Sequence, residues 1–154
     1  MLVNAGPLAQ RVCEAVYLAS IAMFGDSSPL PGGDRPIAIV EDDPGVLESL
    51  SFMLQTAGYE VATYNGAATF LRDDQGQALG LIIDQHMPQM TGLELAQELR
   101  TRGDARPILL ITAAPSPSIH ALANELGIER VLEKPLADAD LFEFIENLRV
   151  RDDD

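Results

Sequence analysis

The chain has 154 residues, 47% of them hydrophobic and only 5% aromatic, which suits one domain with an aliphatic core. Its 24 acidic and 10 basic residues give a formal net charge of −14, which argues against an electrostatic nucleic-acid binder. The single cysteine, Cys13, excludes an internal disulfide and fits a cytoplasmic location. No apolar run reaches the roughly 18 to 20 residues needed to cross a membrane.

Residues 1–35 are predicted to be an N-terminal extension that ends in a linker. Apolar residues recur at three- and four-residue spacings between Leu8 and Met23, which is compatible with a short amphipathic helix. Residues 25–35 are rich in glycine, proline and aspartate, as linkers are. Either the extension is loosely ordered, or its helix docks on the domain or on a second copy of the chain.

From Pro36 to about residue 150, five short apolar strands alternate with five amphipathic helices. This alternation predicts an α/β domain in which helices cover both faces of a parallel sheet. We expect residues 151–154 to form an acidic tail. The predicted strands are Tyr59–Thr63, Leu79–Asp84, Pro107–Thr112, Ile128–Glu133 and, before them, Ile37–Val40. The predicted helix caps are Asp43, Asn65 and Ser116 at N-termini and Gly58 after a C-terminus.

Four of the five strands end in polar or ionisable residues. Parallel strands bring these ends to one edge of the sheet, where ligands bind in such folds. Close carboxylates repel one another by roughly 1 to 4 kcal/mol per pair, so a cluster of them favours a hard divalent cation such as Mg²⁺. The residues are Glu41 and Asp42 after the first strand, Asp84 at the third, Thr112 at the fourth and Lys134, the single lysine of the chain, after the fifth.

These motifs, in this order, resemble the receiver domain of two-component response regulators. The segments concerned are Ile-Val-Glu41-Asp42-Asp43-Pro, Ile-Ile-Asp84-x-x-Met-Pro-x-Met-x-Gly92, Ile-Thr112-Ala and Glu-Lys134-Pro135. The resemblance covers about residues 36–150. It implies a doubly wound (βα)5 flavodoxin-like fold with strand order 2-1-3-4-5 and a cis Lys134–Pro135 bond.

The resemblance also implies a role for each site residue. Asp84 corresponds to the phosphoacceptor, Thr112 to the hydroxyl that follows the phosphoryl group and Lys134 to the ammonium that contacts it. Mg²⁺, or Mn²⁺ in its place, would be held by Glu41, Asp42, Asp84 and the backbone carbonyl of His86. The expected reaction is phosphoryl acceptance with slow autodephosphorylation, not turnover by an enzyme.

The implied partners are a histidine kinase or a histidine phosphotransfer protein as donor, and an unknown protein target. We expect a stand-alone receiver that acts through protein contacts, compatible with a homodimer, and that binds neither nucleic acid nor membrane. Val131 occupies a position where many receivers carry an aromatic residue, and Pro115 and Pro117 restrict the loop after the fourth strand. A smaller or differently routed switch is therefore expected.

Two other functions are open at this point. A receiver-like module could signal by binding without phosphorylation. A phosphatase of the haloacid-dehalogenase type also uses an aspartate at a strand end, but it needs a second aspartate two residues later, where this chain has His86.

Overall fold

Five strands and five helices alternate through residues 35–153, the part of the chain that the computed structural model describes. The strands are β1 (Ile37–Val40), β2 (Val61–Tyr64), β3 (Gly80–Asp84), β4 (Ile108–Thr112) and β5 (Arg130–Glu133). The helices are α1 (Pro44–Thr56), α2 (Ala67–Asp73), α3 (Gly92–Thr101), α4 (Pro117–Glu125) and α5 (Asp138–Asp152). The helix predicted between Leu8 and Met23 lies outside the described residues.

The strands form one parallel sheet in the order β2-β1-β3-β4-β5, which confirms the predicted flavodoxin-like topology. Every residue of β1, β3 and β4 is buried, because helices cover both faces of these central strands. The aliphatic runs of β3 and β4 give way to a polar residue only at the last position of each strand. In the register of the sheet, Val40 pairs with Ile83, and Asp84 pairs with Ile111. The polar residues that follow the strands thus reach one edge.

Alternate residues of the central strands pack into two hydrophobic layers. On one face, Ala38, Leu81 and Leu110 pack with buried side chains of α2, α3 and α4. On the other face, Ile39 and Ile82 pack with buried side chains of α1 and α5. The two layers fix the strand ends from both sides, so the edge that carries the polar residues is rigidly supported.

Two predicted helix starts are confirmed by their caps. The Asp43 carboxylate accepts hydrogen bonds from the amides of Gly45 and Val46, and Pro44 occupies the first turn of α1. The Ser116 hydroxyl accepts a hydrogen bond from the amide of Ile119 at the start of α4. The first of these caps matters for the site because it directly follows Glu41 and Asp42.

The predicted cap Asn65 is wrong. Helix α2 begins at Ala67, and its N-cap residue is Gly66. Gly66 has a φ of 121°, a backbone conformation in which any residue with a side chain would be strained. It therefore offers no side chain that could cap the helix. The chain between β2 and α2 therefore turns one residue later than the asparagine suggested.

Several predicted boundaries also shift by a few residues. Strand β2 starts at Val61 and not at Tyr59, because the Tyr59 amide bonds to the carbonyl of Leu54 and closes α1, with Gly58 at a φ of 93°. Strand β5 starts at Arg130 and not at Ile128, because the Ile128 amide bonds to Ala123 at the end of α4.

Helix α5 continues to Asp152 and so takes in two residues of the predicted acidic tail. The Asp152 carboxylate forms an ion pair with Arg35 at 2.7 Å, which ties the end of the helix to the start of the described chain. Within residues 35–153, no helix combines the length and the apolar character required to span a bilayer.

Candidate functional site

Three carboxylates come together at the predicted edge of the sheet. Glu41 and Asp42 follow β1, and Asp84 is the last residue of β3. One ligand oxygen from each of the three lies within 4.8 Å of the others. Glu41 and Asp84 are each only 3% exposed, whereas Asp42 is partly exposed. The sequence prediction that these three side chains form one cluster is therefore met by the geometry.

Lys134 supplies the positive charge of the cluster. Its Nζ lies 2.9 Å from Oδ1 of Asp84 and 3.7 Å from Oε2 of Glu41. Burial lowers the pKa of Lys134, but contact with Asp84 and the charge of Glu41 more than offset this, so the pKa is raised overall. Lys134 is thus an ammonium ion at neutral pH. The Lys134–Pro135 peptide bond is cis, as the family resemblance implied.

The pKa of Glu41 is raised, chiefly because this carboxyl is buried. Burial raises the pKa of this carboxyl to about 7, the hydrogen bond that it accepts from the Asp43 amide at 3.1 Å opposes the rise, and the charge of Asp84 adds to it. When no cation is bound, the Glu41 carboxyl is therefore protonated in a fraction of the molecules at neutral pH. One ammonium does not neutralise three carboxylates.

The donors at this edge fit a hard divalent cation. Oδ1 of Asp84 is fully buried, and within the described chain no aligned hydrogen-bond donor reaches it, so its contact with Lys134 is an ion pair. The backbone carbonyl of His86, in the loop after β3, accepts no hydrogen bond from any residue between 35 and 153. Carboxylate and carbonyl oxygens are the ligands that Mg²⁺ prefers, so the predicted ligand set of Glu41, Asp42, Asp84 and His86 is chemically suitable.

The loop that carries His86 is held in place by Gln85, a residue that the sequence interpretation did not single out. The Gln85 amide donates a hydrogen bond to the carbonyl of Ile111, and its side-chain oxygen accepts one from the amide of Leu93. Gly92 packs against this loop so closely that a Cβ atom would lie 2.7 Å from the carbonyl oxygen of Asp84. The glycine of the Met-Pro-x-Met-x-Gly motif is therefore required by close backbone approach.

Thr112 lies at the same edge, but its hydroxyl contacts loop groups and not the carboxylates. The side chain is fully buried, its Oγ1 lies 3.2 Å from Nε2 of His86, and the amide of Ala114 donates a hydrogen bond to it at 3.2 Å. The sequence interpretation considered His86 for its backbone carbonyl, and it missed this side-chain contact. The signal was present, since each residue lies at or just after the end of one of two adjacent strands.

An apolar cavity of about 210 Å³ opens beside Lys134. Glu41 and Lys134 form its polar side, and aliphatic side chains from α1, β4 and the segment after β5 form the rest. The residues lining its apolar part are Val46, Leu50, Ile111, Pro135 and Leu136. The cavity therefore places an apolar wall beside two members of the charged cluster.

Comparison with known proteins identifies the family. The family model described as the response regulator receiver domain matches residues 37–146, which includes every strand and all of the clustered residues. The chain belongs to the response regulator receiver family. Receiver domains of two-component systems are phosphoacceptor signalling modules and not classical enzymes, and this membership accounts for the acidic edge of the sheet.

Individual relatives agree with the family match. The chain is 36% identical over 107 residues to the transcriptional regulatory protein FixJ of Azorhizobium caulinodans, covering 68% of this chain and 50% of that protein. It is 38% identical over 104 residues to the response regulator MprA of Mycobacterium avium, covering 66% and 45%. The chain thus spans about half the length of the curated relatives it matches.

Solved structures show the same fold. The chemotaxis protein CheY4 of Vibrio cholerae superposes with a TM-score of 0.69 at 28% identity, covering 75% of this chain and 99% of that one. The structure titled FixJ-N superposes with a TM-score of 0.69 at 30% identity, covering 76% and 94%. The superposed part of this chain therefore covers nearly the whole length of each of these two solved structures.

Proposed function

We propose that Asp84 accepts a phosphoryl group from the phosphohistidine of a histidine kinase or a histidine phosphotransfer protein, in a reaction that depends on Mg²⁺. The observation that carries this proposal is the geometry around Asp84. A buried carboxylate lies 2.9 Å from the single lysine, within a cluster of three acidic groups at the end of a central strand. Family membership supports the same chemistry.

In this reaction, an oxygen of Asp84 attacks phosphorus as the P–N bond of the phosphohistidine breaks. The electron pair of that bond returns to the imidazole of the donor, and an acyl phosphate forms on Asp84. Lys134 stabilises the negative charge on the equatorial phosphoryl oxygens, and its raised pKa keeps it charged while it does so. Glu41, Asp42, Asp84 and the carbonyl of His86 would hold Mg²⁺, which would supply further charge neutralisation, as Mn²⁺ would in its place.

Phosphorylation would then change protein contacts through Thr112 and the loop that follows it. The new negative charge attracts the Thr112 hydroxyl, and a shift of residues 113–116 would reach the adjoining start of α4. We propose a protein target in the cytoplasm, reached by the monomer or by a phosphorylation-dependent homodimer. Slow autodephosphorylation would end the signal.

The decisive experiment is incubation with acetyl phosphate and Mg²⁺. We expect stoichiometric, acid-stable but alkali-labile labelling, which Asp84→Asn abolishes and chelation of Mg²⁺ suppresses. Asp73→Asn is the matched control, because Asp73 is an exposed aspartate paired with Arg72 and should leave the labelling unchanged.

The outcome also separates the rival functions. Repeated turnover of the phosphodonor without a stable product would indicate a phosphatase. Absence of label in the folded wild-type protein, together with unchanged target binding, would indicate a receiver-like module that signals without phosphorylation. Labelling that survives Asp84→Asn would contradict the assignment of the acceptor residue.

A further inference from the structure

The hydroxyl of Thr112 already has two partners in the structure, and both belong to loops. Oγ1 accepts a hydrogen bond from the Ala114 amide and lies 3.2 Å from Nε2 of His86. A hydroxyl has one proton to donate and two positions at which it can accept, so these contacts occupy two of its three sites. Within residues 35–153, its side chain forms no hydrogen bond with Asp84 or Lys134.

The contact between His86 and Thr112 is built into the sheet. His86 follows β3, and Thr112 ends the neighbouring β4, whose residue Ile111 pairs with Asp84 in the register. The Gln85 amide, one residue before His86, is bonded to the Ile111 carbonyl at 2.8 Å, one residue before Thr112. This hydrogen bond holds the backbone next to His86 against the backbone next to Thr112, which keeps the two side chains within contact distance.

We propose that His86 is a positioning residue that holds the Thr112 hydroxyl away from the acceptor until a phosphoryl group competes for it. This inference rests on the proposed function, since it assumes that Thr112 turns toward the phosphoryl group on Asp84. The imidazole then stabilises the conformation that Thr112 adopts before phosphorylation. Thr112 must give up its contact with His86 to reach a phosphoryl oxygen, so the phosphorylated conformation is less favoured than it would be with an inert side chain at position 86.

The expected effect is modest and measurable. The usual net contribution of one hydrogen bond to stability corresponds to about a two- to tenfold change in an equilibrium constant. His86→Ala and His86→Leu should therefore bind the phosphoryl analogue beryllofluoride, with Mg²⁺ present, about two- to tenfold more tightly than the wild type. His86→Gln should restore most of the wild-type affinity, because the glutamine side chain carries both a donating nitrogen and an accepting oxygen and so can take either role of Nε2.

A double-mutant cycle tests whether the effect acts through Thr112. Beryllofluoride affinity is measured on the full chain for the wild type, His86→Ala, Thr112→Ala and the double variant, and NMR follows the Thr112 methyl group in the free wild type, His86→Ala and His86→Gln. We expect the gain from His86→Ala to disappear in the Thr112→Ala background, and the methyl signal to shift in His86→Ala and return toward its original position in His86→Gln.

Three results would overturn the inference. The first is an equal beryllofluoride affinity in the wild type and in His86→Ala. The second is a gain in affinity from His86→Ala that persists in the Thr112→Ala background, which would show that His86 acts on access to the acceptor or on its charge. Failure of the wild type itself to bind, with Asp84→Asn behaving identically, would refute the proposed function and this inference with it. Normal wild-type binding without any effect of His86 would refute this inference alone.

Discussion

Replacing Glu41 with glutamine tests whether the carboxylate cluster is a strained arrangement that a cation relieves. Glu41 is only 3% exposed, lies in the cluster with Asp42 and Asp84, and its pKa is raised to about 7 by burial and then by the charge of Asp84. Glutamine has nearly the same size and keeps an oxygen that can accept the hydrogen bond from the Asp43 amide. The substitution therefore removes the charge with little change in packing.

The sign and size of the effect follow from linkage. A carboxyl whose pKa is about 4.5 in the unfolded chain and about 7 in the folded chain binds its proton more tightly when folded. Its contribution to stability is fully present below pH 4.5 and is lost as the pH rises through 7. At 1.36 kcal/mol per pKa unit, the whole loss is on the order of 3 kcal/mol, which is an upper limit. Without Mg²⁺, Glu41→Gln should therefore be more stable than the wild type at pH 7.5 by about 1 to 3 kcal/mol, and equally stable near pH 4.5.

Urea unfolding at pH 4.5, 6.0 and 7.5, with chelator and with excess Mg²⁺, measures this difference. The proposed Mg²⁺ site uses the ionised carboxylates, so Mg²⁺ should stabilise the wild type increasingly as the pH rises and should stabilise Glu41→Gln much less. A difference between wild type and variant that does not depend on pH, or a variant less stable than the wild type at pH 7.5 without metal, would refute the reasoning.

Two further substitutions, one beside the site and one at the opposite end of β4, can be tested by urea unfolding. Gly92→Ala should cost about 1–3 kcal/mol, because a Cβ would lie 2.7 Å from a backbone carbonyl that cannot move aside. Gly45→Ala is its control, since its Cβ meets only a side-chain oxygen at 3.3 Å, and an equal loss in both variants would contradict the steric argument. Arg106→Met should cost about 1–3 kcal/mol, because the guanidinium is only 13% exposed between two carboxylates that would be left unpaired. The exposed Arg72→Met should leave stability almost unchanged, and similar losses in the two arginine variants would contradict a stabilising role for the Arg106 ion pairs.

The fold and the chemical groups of the site were predictable because both follow from short-range signals. An aliphatic run that ends on a carboxylate, as Leu81 to Asp84 does, has few alternatives to a buried parallel strand with its acid at the edge. The strand order, which the family resemblance implied, then places Glu41, Asp84 and Lys134 together, although each is distant from the others in sequence. The helix starts at Asp43 and Ser116 were equally local, since a capping side chain and a proline lie next to each other.

The features that could not be predicted depend on competition between neighbours. Asn65 is a good capping residue, but Gly66 is the residue that can adopt the positive φ required at the turn. Likewise, no spacing rule says that the His86 imidazole reaches the Thr112 hydroxyl, because this contact depends on the orientation of two side chains from different loops. Local patterns fix which groups arrive at the edge of the sheet, and long-range packing decides which of them touch.

The site is divided between parts that differ in their freedom to move. Asp84 and Thr112 belong to buried strands, and their backbones are fixed by the hydrogen-bond ladder of the sheet, so the accepting group is held still. The loop at residues 113–116 joins Thr112 to α4, and its path is limited by Pro115 and by Pro117 in the first turn of that helix. Val131 packs against the core on the α2, α3 and α4 face of the sheet. An aromatic residue at this position would be a second side chain that could change orientation together with Thr112. The prolines restrict the backbone path of this loop, and the buried Thr112 side chain is held by its contacts with Ala114 and His86. One of the two partners of its hydroxyl is His86, and under the proposed mechanism a phosphoryl group on Asp84 would compete with this contact.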